Sequence, residues 1–281
     1  MSAHTTSMRD ALYEAPGPKT RRRTLIITAI SLVLVAIGIG VIIRQFYITG
    51  QLDAKYWSFF LRPSTWRYIA GGFVGTLRVA AVAGALALVL GILLMLARTS
   101  GIKPLSVAAH VITDFFRGVP SLLLIYFFYL ALPQYGLRIP AFWMITTPVA
   151  LAASGVLAEV FRAGVNAVPK GQTEAALSIG LTPHKTMMKI VLPQALRIVV
   201  PSLISQLVVV VKDTTVAYVV SYPDLMQNAR VLITNTDALV QVYFVVAILY
   251  ILVNYAINQL SIYMARRSGN PIISRTTENP T

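Results

Sequence analysis

Long stretches with few or no charges alternate with short polar segments along most of the chain. The apolar stretches cover residues 25–43, 73–97, 105–132, 141–157, 196–211 and 239–264. A helix needs about 20 residues to cross a bilayer, at a rise of about 1.5 Å per residue. The alternating ten-residue segments typical of a membrane β-barrel do not occur. The pattern therefore predicts an all-α, polytopic membrane protein with about six transmembrane helices.

The composition supports a membrane protein. Hydrophobic residues make up 56% and charged residues 12% of the 281 residues, and the mean hydropathy is +0.70. A soluble chain carries about 25% charged residues. The net charge of +14 comes from basic residues between apolar stretches, not along one amphipathic face, which argues against nucleic acid as a partner. The chain has no cysteine, and its three histidines share no metal-ligand spacing, so no thiol chemistry and no metal site is expected.

Lysine and arginine are distributed unevenly between the predicted spans. If the amino terminus lies inside, fifteen of them fall in cytoplasmic segments and six in outer segments, as the positive-inside rule requires. We therefore expect a multi-pass protein of the cell membrane with both termini cytoplasmic. The long polar loop between spans four and five is expected on the same side. Residues 25–43 are longer than a typical signal-peptide core, so an uncleaved first helix is expected.

The polar loop between spans four and five carries local signals for two short helices. Residues 169–171, Pro-Lys-Gly, would end the fourth helix, and residues 172–179 could form about two turns. Gly180 suits the position just after a helix end. Thr182 suits an N-cap, and Pro183 suits the first turn of a second helix. The alternative interpretation is an ordinary amphipathic connecting loop.

The same loop resembles a known family. The fixed positions of the EAA loop of ABC importer permeases are matched, spacing included, by Glu174, Ala175, Ala176, Gly180, Ile190, Leu192 and Pro193. The resemblance implies a coupling helix that docks into a groove on a separate ATPase subunit. The implied coupling residues are Gly171, Glu174, Ala175, Ala176, Gly180, Leu181, Leu192 and Pro193. The two alanines are small, so another surface can approach this helix closely.

Further motifs resemble the polar amino acid branch of these permeases. They lie at residues 75–77 (GTL), 116–120 (FRGVP), 159–162 (EVFR), 169–172 (PKGQ), 192–197 (LPQALR) and 212–214 (KDT). The resemblance implies a permease that pairs with a second copy or a homologous permease and receives an amino acid from an extracytoplasmic binding protein. It also implies an ATPase dimer that holds ATP and Mg, and no cofactor bound by this chain. The sequence departs from the usual pattern at Val119, Ser205 and residues 215–216.

The resemblance also divides the chain into segments. We expect a cytoplasmic tail at residues 1–23, an extra helix and outer loop at 24–71, the permease domain at 72–266 with its EAA loop at about 169–193, and a second cytoplasmic tail at 267–281. Residues 13–18, the extra helix and residues 50–54 resemble actinobacterial glutamate-uptake permeases. That likeness favours glutamate or a related polar amino acid as the substrate.

Several polar or ionisable residues lie inside the predicted spans, where a charge costs at least about 2.5–3.5 kcal/mol. The candidates for the substrate pathway are Arg78, Arg117, Lys212, Asp213 and Thr214. Lys212 follows an all-apolar run, so we expect the helix to break or bend at residues 212–214. Broken helix ends commonly line transport sites.

Ion pairing is the alternative role for these charges. Asp114 with Arg117, and Glu159 with Arg162, are spaced three residues apart and can pair on one helix face. Arg78 has no acid within a helical turn. It therefore either pairs across helices with Asp114 or Glu159, or lines the pathway and meets a substrate carboxylate.

Two other classes of function compete with the importer permease. A secondary amino acid transporter or channel would need no ATPase. It predicts ionisable residues along several spans and inverted repeats, but the sequence shows no convincing internal repeat, and the EAA loop would then have no purpose. A membrane scaffold would leave the charges within the spans without a role. The chain has no Gly-x-x-x-x-Gly-Lys-Ser/Thr P-loop, so we expect a translocation subunit and not an enzyme.

Overall fold

The computed structural model describes residues 17–267, and this part of the chain contains helices and no strand. The α-helices are α1 (Pro18–Ile48), α2 (Pro63–Arg98), α3 (Lys103–Gly118), α4 (Ser121–Leu130), α5 (Ala141–Ala167), α6 (Lys170–Ser178), α7 (Pro183–Thr186), α8 (Leu192–Asp213), α9 (Leu225–Thr236) and α10 (Leu239–Arg267). By length and composition, five helical segments within these residues can cross a membrane, and the bent pair α3–α4 raises this number to six. The predicted all-α membrane fold is confirmed.

The chain divides between Trp57 and Ser58 into two compact units. In the first unit, α1 has no buried residue, and apolar side chains such as Leu32 and Leu34 are more than half exposed. A helix that is apolar on every side and uncovered by protein suits a lipid environment.

Helix α5 lies at the centre of the second unit. Ile145 and Val149 of α5 are fully buried, in a core that also contains Val79 of α2 and Val210 of α8. Near the other end of α5, a Cβ on Gly164 would lie 2.4 Å from a methyl of Val199 and 3.0 Å from a carbonyl of α8, so only glycine permits this approach. Helices α2 and α8, which carry several of the candidate pathway residues, therefore pack around α5.

The third span is not the single helix that the sequence predicts. It consists of α3 and α4, which meet at an angle of 95°. Pro120 lacks an N–H and disfavours a helical conformation in the residue before it. Val119 accordingly is extended, with φ −87° and ψ 124°. The prediction of one continuous span over residues 105–132 is wrong for this reason.

The other spans exceed their predicted limits because hydropathy marks the membrane and not the helix ends. Helix α2 starts ten residues before the apolar run, at Pro63, and α5 continues beyond residue 157 to Ala167. The fifth span is helical from Pro183 to Val220. Within it, residues Met187–Val191 form a π-helical turn, which joins α7 to α8.

The predicted break at residues 212–214 takes a different form. Helix α8 continues to Asp213 and then narrows into a 3₁₀ helix at Thr214–Val220 without interruption. The Thr214 hydroxyl donates to the Val211 carbonyl at 2.8 Å, and the Thr215 hydroxyl donates to the Lys212 carbonyl at 2.7 Å. These hydroxyls bond to carbonyls of the preceding turn, at the point where the helix changes from α to 3₁₀.

Candidate coupling loop and substrate pathway

The loop between α5 and α8 has the local structure that the sequence predicts. Helix α6 ends in a Schellman motif, in which Gly180 has φ +84°, its N–H donates to the Leu177 carbonyl at 2.9 Å, and the Leu181 N–H donates to the Ala176 carbonyl at 3.1 Å. Thr182 caps α7 through its hydroxyl, which accepts the Lys185 N–H at 3.4 Å. The two-helix prediction is confirmed.

The predicted coupling residues lie on different sides of α6. Glu174 and Ala175 are exposed, and the space around Gly171 is open. Ala176 is only 4% exposed, because it packs inwards. Its small side chain therefore lets α6 pack closely against the rest of this protein.

Two large apolar side chains on this loop are exposed, although the sequence pattern assigns them no role. Ile179 is 79% exposed and Leu177 is 44% exposed. They are two residues apart at the end of α6, and the exposed Glu174 lies three residues before Leu177. The available signal was the presence of two large aliphatic residues in a polar loop. Exposed apolar patches rimmed by polar groups are typical of protein interaction sites.

The loop is attached to α8 by side chains as well as by the backbone. The Gln194 side-chain amide donates to the Gln172 side-chain carbonyl at 3.3 Å and to the Ile190 backbone carbonyl at 2.9 Å. Leu192 is half-buried against the core that contains Val199, while Pro193 is exposed in the first turn of α8. A force on α6 would therefore reach α8 directly.

A cavity of about 590 Å³ lies near the beginning of α2, away from this loop. Its lining includes Ser64, Arg67, Tyr68, Arg78, Tyr222 and Asn228. Arg78 is exposed to the cavity. It pairs with neither Asp114 nor Glu159, since these acids hold other basic residues. The cross-helix pairing considered for Arg78 is therefore wrong.

A buried polar cluster lies next to the cavity and includes Asn228 of its lining. Asp224 is fully buried and caps α9, since its carboxylate accepts the Gln227 N–H at 2.7 Å. Burial raises the pKa of this carboxyl to about 6. The Leu225 N–H donates to the Thr76 hydroxyl at 3.1 Å, and the Asn228 amide donates to the Tyr68 carbonyl at 2.8 Å. These contacts fix α9 to α2. The sequence signal for the cap is an Asp directly before a helical segment, with Gln227 three residues later.

Both predicted ion pairs within a helix are confirmed. Arg117 lies 3.6 Å from Asp114, and Arg162 lies 2.8 Å from Glu159. Arg117 also lies 3.5 Å from Glu159 on the neighbouring helix. Arg117 therefore belongs to an ion-pair network at the loop end of the helices and not to the cavity that Arg78 lines.

The remaining pathway candidates lie where α8 meets the break between α3 and α4. Lys212 is exposed, Asp213 is half-buried near the Ser121 side chain at the start of α4, and Thr214 is buried. The five pathway candidates thus occupy three places. No group of three or more His, Asp or Glu residues in the described part of the chain is arranged to bind a metal ion.

A family model for the binding-protein-dependent transport system inner membrane component matches residues 87–269. The chain belongs to this family. It is therefore a permease, a multi-pass translocation subunit of the membrane, which works with a separate ATPase and is not itself an enzyme.

Curated relatives of the permease carry names from amino acid transport. The glutamate transport system permease protein GluD of Corynebacterium glutamicum is 34% identical over 241 residues, which are 82% of this chain and 88% of that protein. The probable glutamine ABC transporter permease protein GlnM of Bacillus subtilis is 36% identical over 196 residues, which are 70% of this chain and 91% of that protein.

Solved structures share the fold of the permease. An amino acid ABC transporter crystallised with histidines is 29% identical, with a TM-score of 0.68 over 72% of this chain and 94% of that chain. The inward-facing methionine transporter MetNI is 21% identical, with a TM-score of 0.63 over 74% of this chain and 99% of that chain, and it supports the fold alone.

Proposed function

We propose that the permease belongs to an ATP-driven importer of polar amino acids, with glutamate or a related acidic or amide amino acid as the substrate. Arg67 and Arg78 give the cavity at the beginning of α2 a positive lining that suits a carboxylate. The names of the relatives, which refer to glutamate and glutamine, agree with this chemistry.

The proposed assembly has two permease chains, an ATPase dimer and an extracytoplasmic binding protein. ATP and Mg bind to the ATPase, and this chain binds neither. Both termini and the loop between α5 and α8 lie in the cytoplasm, as the distribution of lysine and arginine indicates. Arg78, Lys212 and Asp213 line the substrate pathway, Thr214 supports it from a buried position, and Arg117 contributes through its ion pairs.

The exposed end of α6 is the observation that carries the proposal. Ile179 and Leu177 leave an apolar surface beside the acidic side chain of Glu174. The ATPase covers this surface together with Gly171 and Ala175. The rest of the coupling set acts from within: Gly180 and Leu181 close the helix end, Ala176 packs inwards, and Leu192 and Pro193 begin α8. Closure of the ATPase dimer then moves α5 and α8, which changes the side of the membrane to which the pathway opens.

A charge reversal on the loop tests this docking. Glu174→Arg should insert into the membrane normally, because the side chain is exposed, but it should no longer copurify with the ATPase. Asp53→Arg is the matched control, since Asp53 is an exposed acid in a different loop. It should copurify like the unsubstituted permease. Normal copurification and uptake of Glu174→Arg would rule out this surface as the ATPase site.

A further inference from the structure

One carboxylate at the loop end of the second unit binds three arginines. Glu159 of α5 pairs with Arg98, with Arg162 at 2.8 Å and with Arg117 at 3.5 Å. The Arg98 side chain is 9% exposed and that of Glu159 is 20% exposed, whereas Arg162 and Arg117 are almost half exposed. The Arg98–Glu159 pair is thus the most shielded from solvent, and salt screens it least.

The three arginines differ in what they connect. Arg162 lies one turn after Glu159 on the same helix, so this pair joins no two helices. Arg98 is the last residue of α2, and Arg117 lies near the end of α3. Through these two guanidiniums, Glu159 links α2 and α3 to α5.

Close helix approaches also lie near this carboxylate. A Cβ on Gly91 of α2 would lie 2.9 Å from the Leu157 Cβ, and a Cβ on Gly155 would lie 2.9 Å from the Thr113 carbonyl of α3. These contacts hold α2 and α3 close to α5, and the ion pairs of Glu159 add polar links between the same helices.

Glu159 lies about two turns before α5 ends at Ala167, and α6 begins three residues later at Lys170. A displacement of α6 can therefore reach this part of α5 through the short connection at residues 168–169, besides reaching α8 through Gln172 and Gln194. Helix α2 leads from Arg98 back to Arg78 and the cavity, and α3 leads to the bend at Pro120. Glu159 thus lies between the loop on one side and the cavity and the bend at Pro120 on the other.

We propose that Glu159, through Arg98 and Arg117, is the positioning residue that transmits movement of α6 to α2 and α3. This role rests on the proposed function, because it requires a separate ATPase acting on α6. Arg162 neutralises the same carboxylate but transmits nothing. Coupling through a network is a claim about energy, so it needs variants that separate the connecting pairs from the local one.

The experiment measures how accessible the cavity is, and not how much substrate is transported. A cysteine introduced at Ser64, which lines the cavity, is the only thiol of the permease chain, so labelling of this chain reports that position alone. An impermeant maleimide reports its accessibility in the full complex with the ATPase, before and after addition of ATP and orthovanadate. The labelling rate should change in the unsubstituted background and in Arg162→Gln. In Arg98→Gln the change should shrink by a factor of about two to thirty, the range that single residues in coupled networks produce.

Removal of one partner from a shielded pair can prevent folding. The double variant Arg98→Gln/Glu159→Gln leaves no unpaired acid at this position, and it should lose at least as much of the ATP-dependent change as Arg98→Gln, because it also removes the link to Arg117. ATP-dependent labelling of Arg98→Gln or of the double variant at the unsubstituted level would overturn the proposal, as would equal losses in Arg98→Gln and Arg162→Gln. No ATP-dependent change in the unsubstituted complex would instead contradict the proposed ATP-driven function itself.

Discussion

Arg78 shows how much a single residue can indicate in a membrane span. It lies in the first half of α2, exposed to a cavity that also contains Arg67 and two tyrosines. Asp114 and Glu159, the two acids that the sequence suggests as its partners, are held by other arginines. A guanidinium that is placed in this way needs water or an anionic ligand, and a carboxylate can bind it through two parallel hydrogen bonds.

Replacement of this arginine should reduce transport without affecting folding. Arg78→Met retains length and apolar bulk but removes the charge. A hydrogen bond to a charged group contributes about 1.5–3 kcal/mol, so uptake of glutamate at low concentration should fall by about tenfold or more. Expression and copurification with the ATPase should stay normal, because Arg78 forms no ion pair with Asp114 or Glu159.

The control for this variant is Arg138→Met, since Arg138 is exposed in the loop before α5. It undergoes the same chemical change outside the cavity and should transport normally. If Arg78→Met imports glutamate at the unsubstituted rate, the cavity is not part of the pathway for an acidic substrate.

At the level of helices, the sequence predicts what depends on local chemistry. Gly180 and Thr182 define the two helices of the loop because a positive φ and an N-cap are properties of single residues and their nearest neighbours. The pairs Asp114–Arg117 and Glu159–Arg162 are predictable for the same reason, since a helix sets their spacing.

Features that depend on tertiary packing escape the sequence. Arg98 and Glu159 are 61 residues apart, and nothing in the pattern of either span indicates that they meet. The orientation of α6, with Ala176 inwards and Ile179 outwards, likewise depends on where α5 and α8 place it. The angle at Pro120 was not predicted because a proline can either kink a span or divide it, and the neighbouring helices decide which.

At the scale of the whole molecule, the permease combines a first unit that contains the apolar helix α1 with a second unit that carries every candidate site. Helix α5 connects the two functional regions, since it packs against α2 beside the loop and contributes to the core below the cavity. For this arrangement to drive import, the loop must face the cytoplasm, where an ATPase can reach it.

Cysteine labelling measures that direction. A cysteine at Ser178 of α6 should react with an impermeant thiol reagent only from the cytoplasmic side, and a cysteine at Ala54 only from outside. The background is clean because the chain has no cysteine of its own. The reverse result would place the loop outside, where no ATPase could reach it.

The most direct test of ATP-driven import is the energy source for uptake. Proteoliposomes would contain the permease with its ATPase and binding protein, and the probe would be radiolabelled L-glutamate. We expect accumulation only when ATP and Mg are present on the side of the membrane that carries the loop, and none with a proton or sodium gradient alone. Gradient-driven accumulation by the permease without the ATPase would contradict the proposal and identify a secondary transporter.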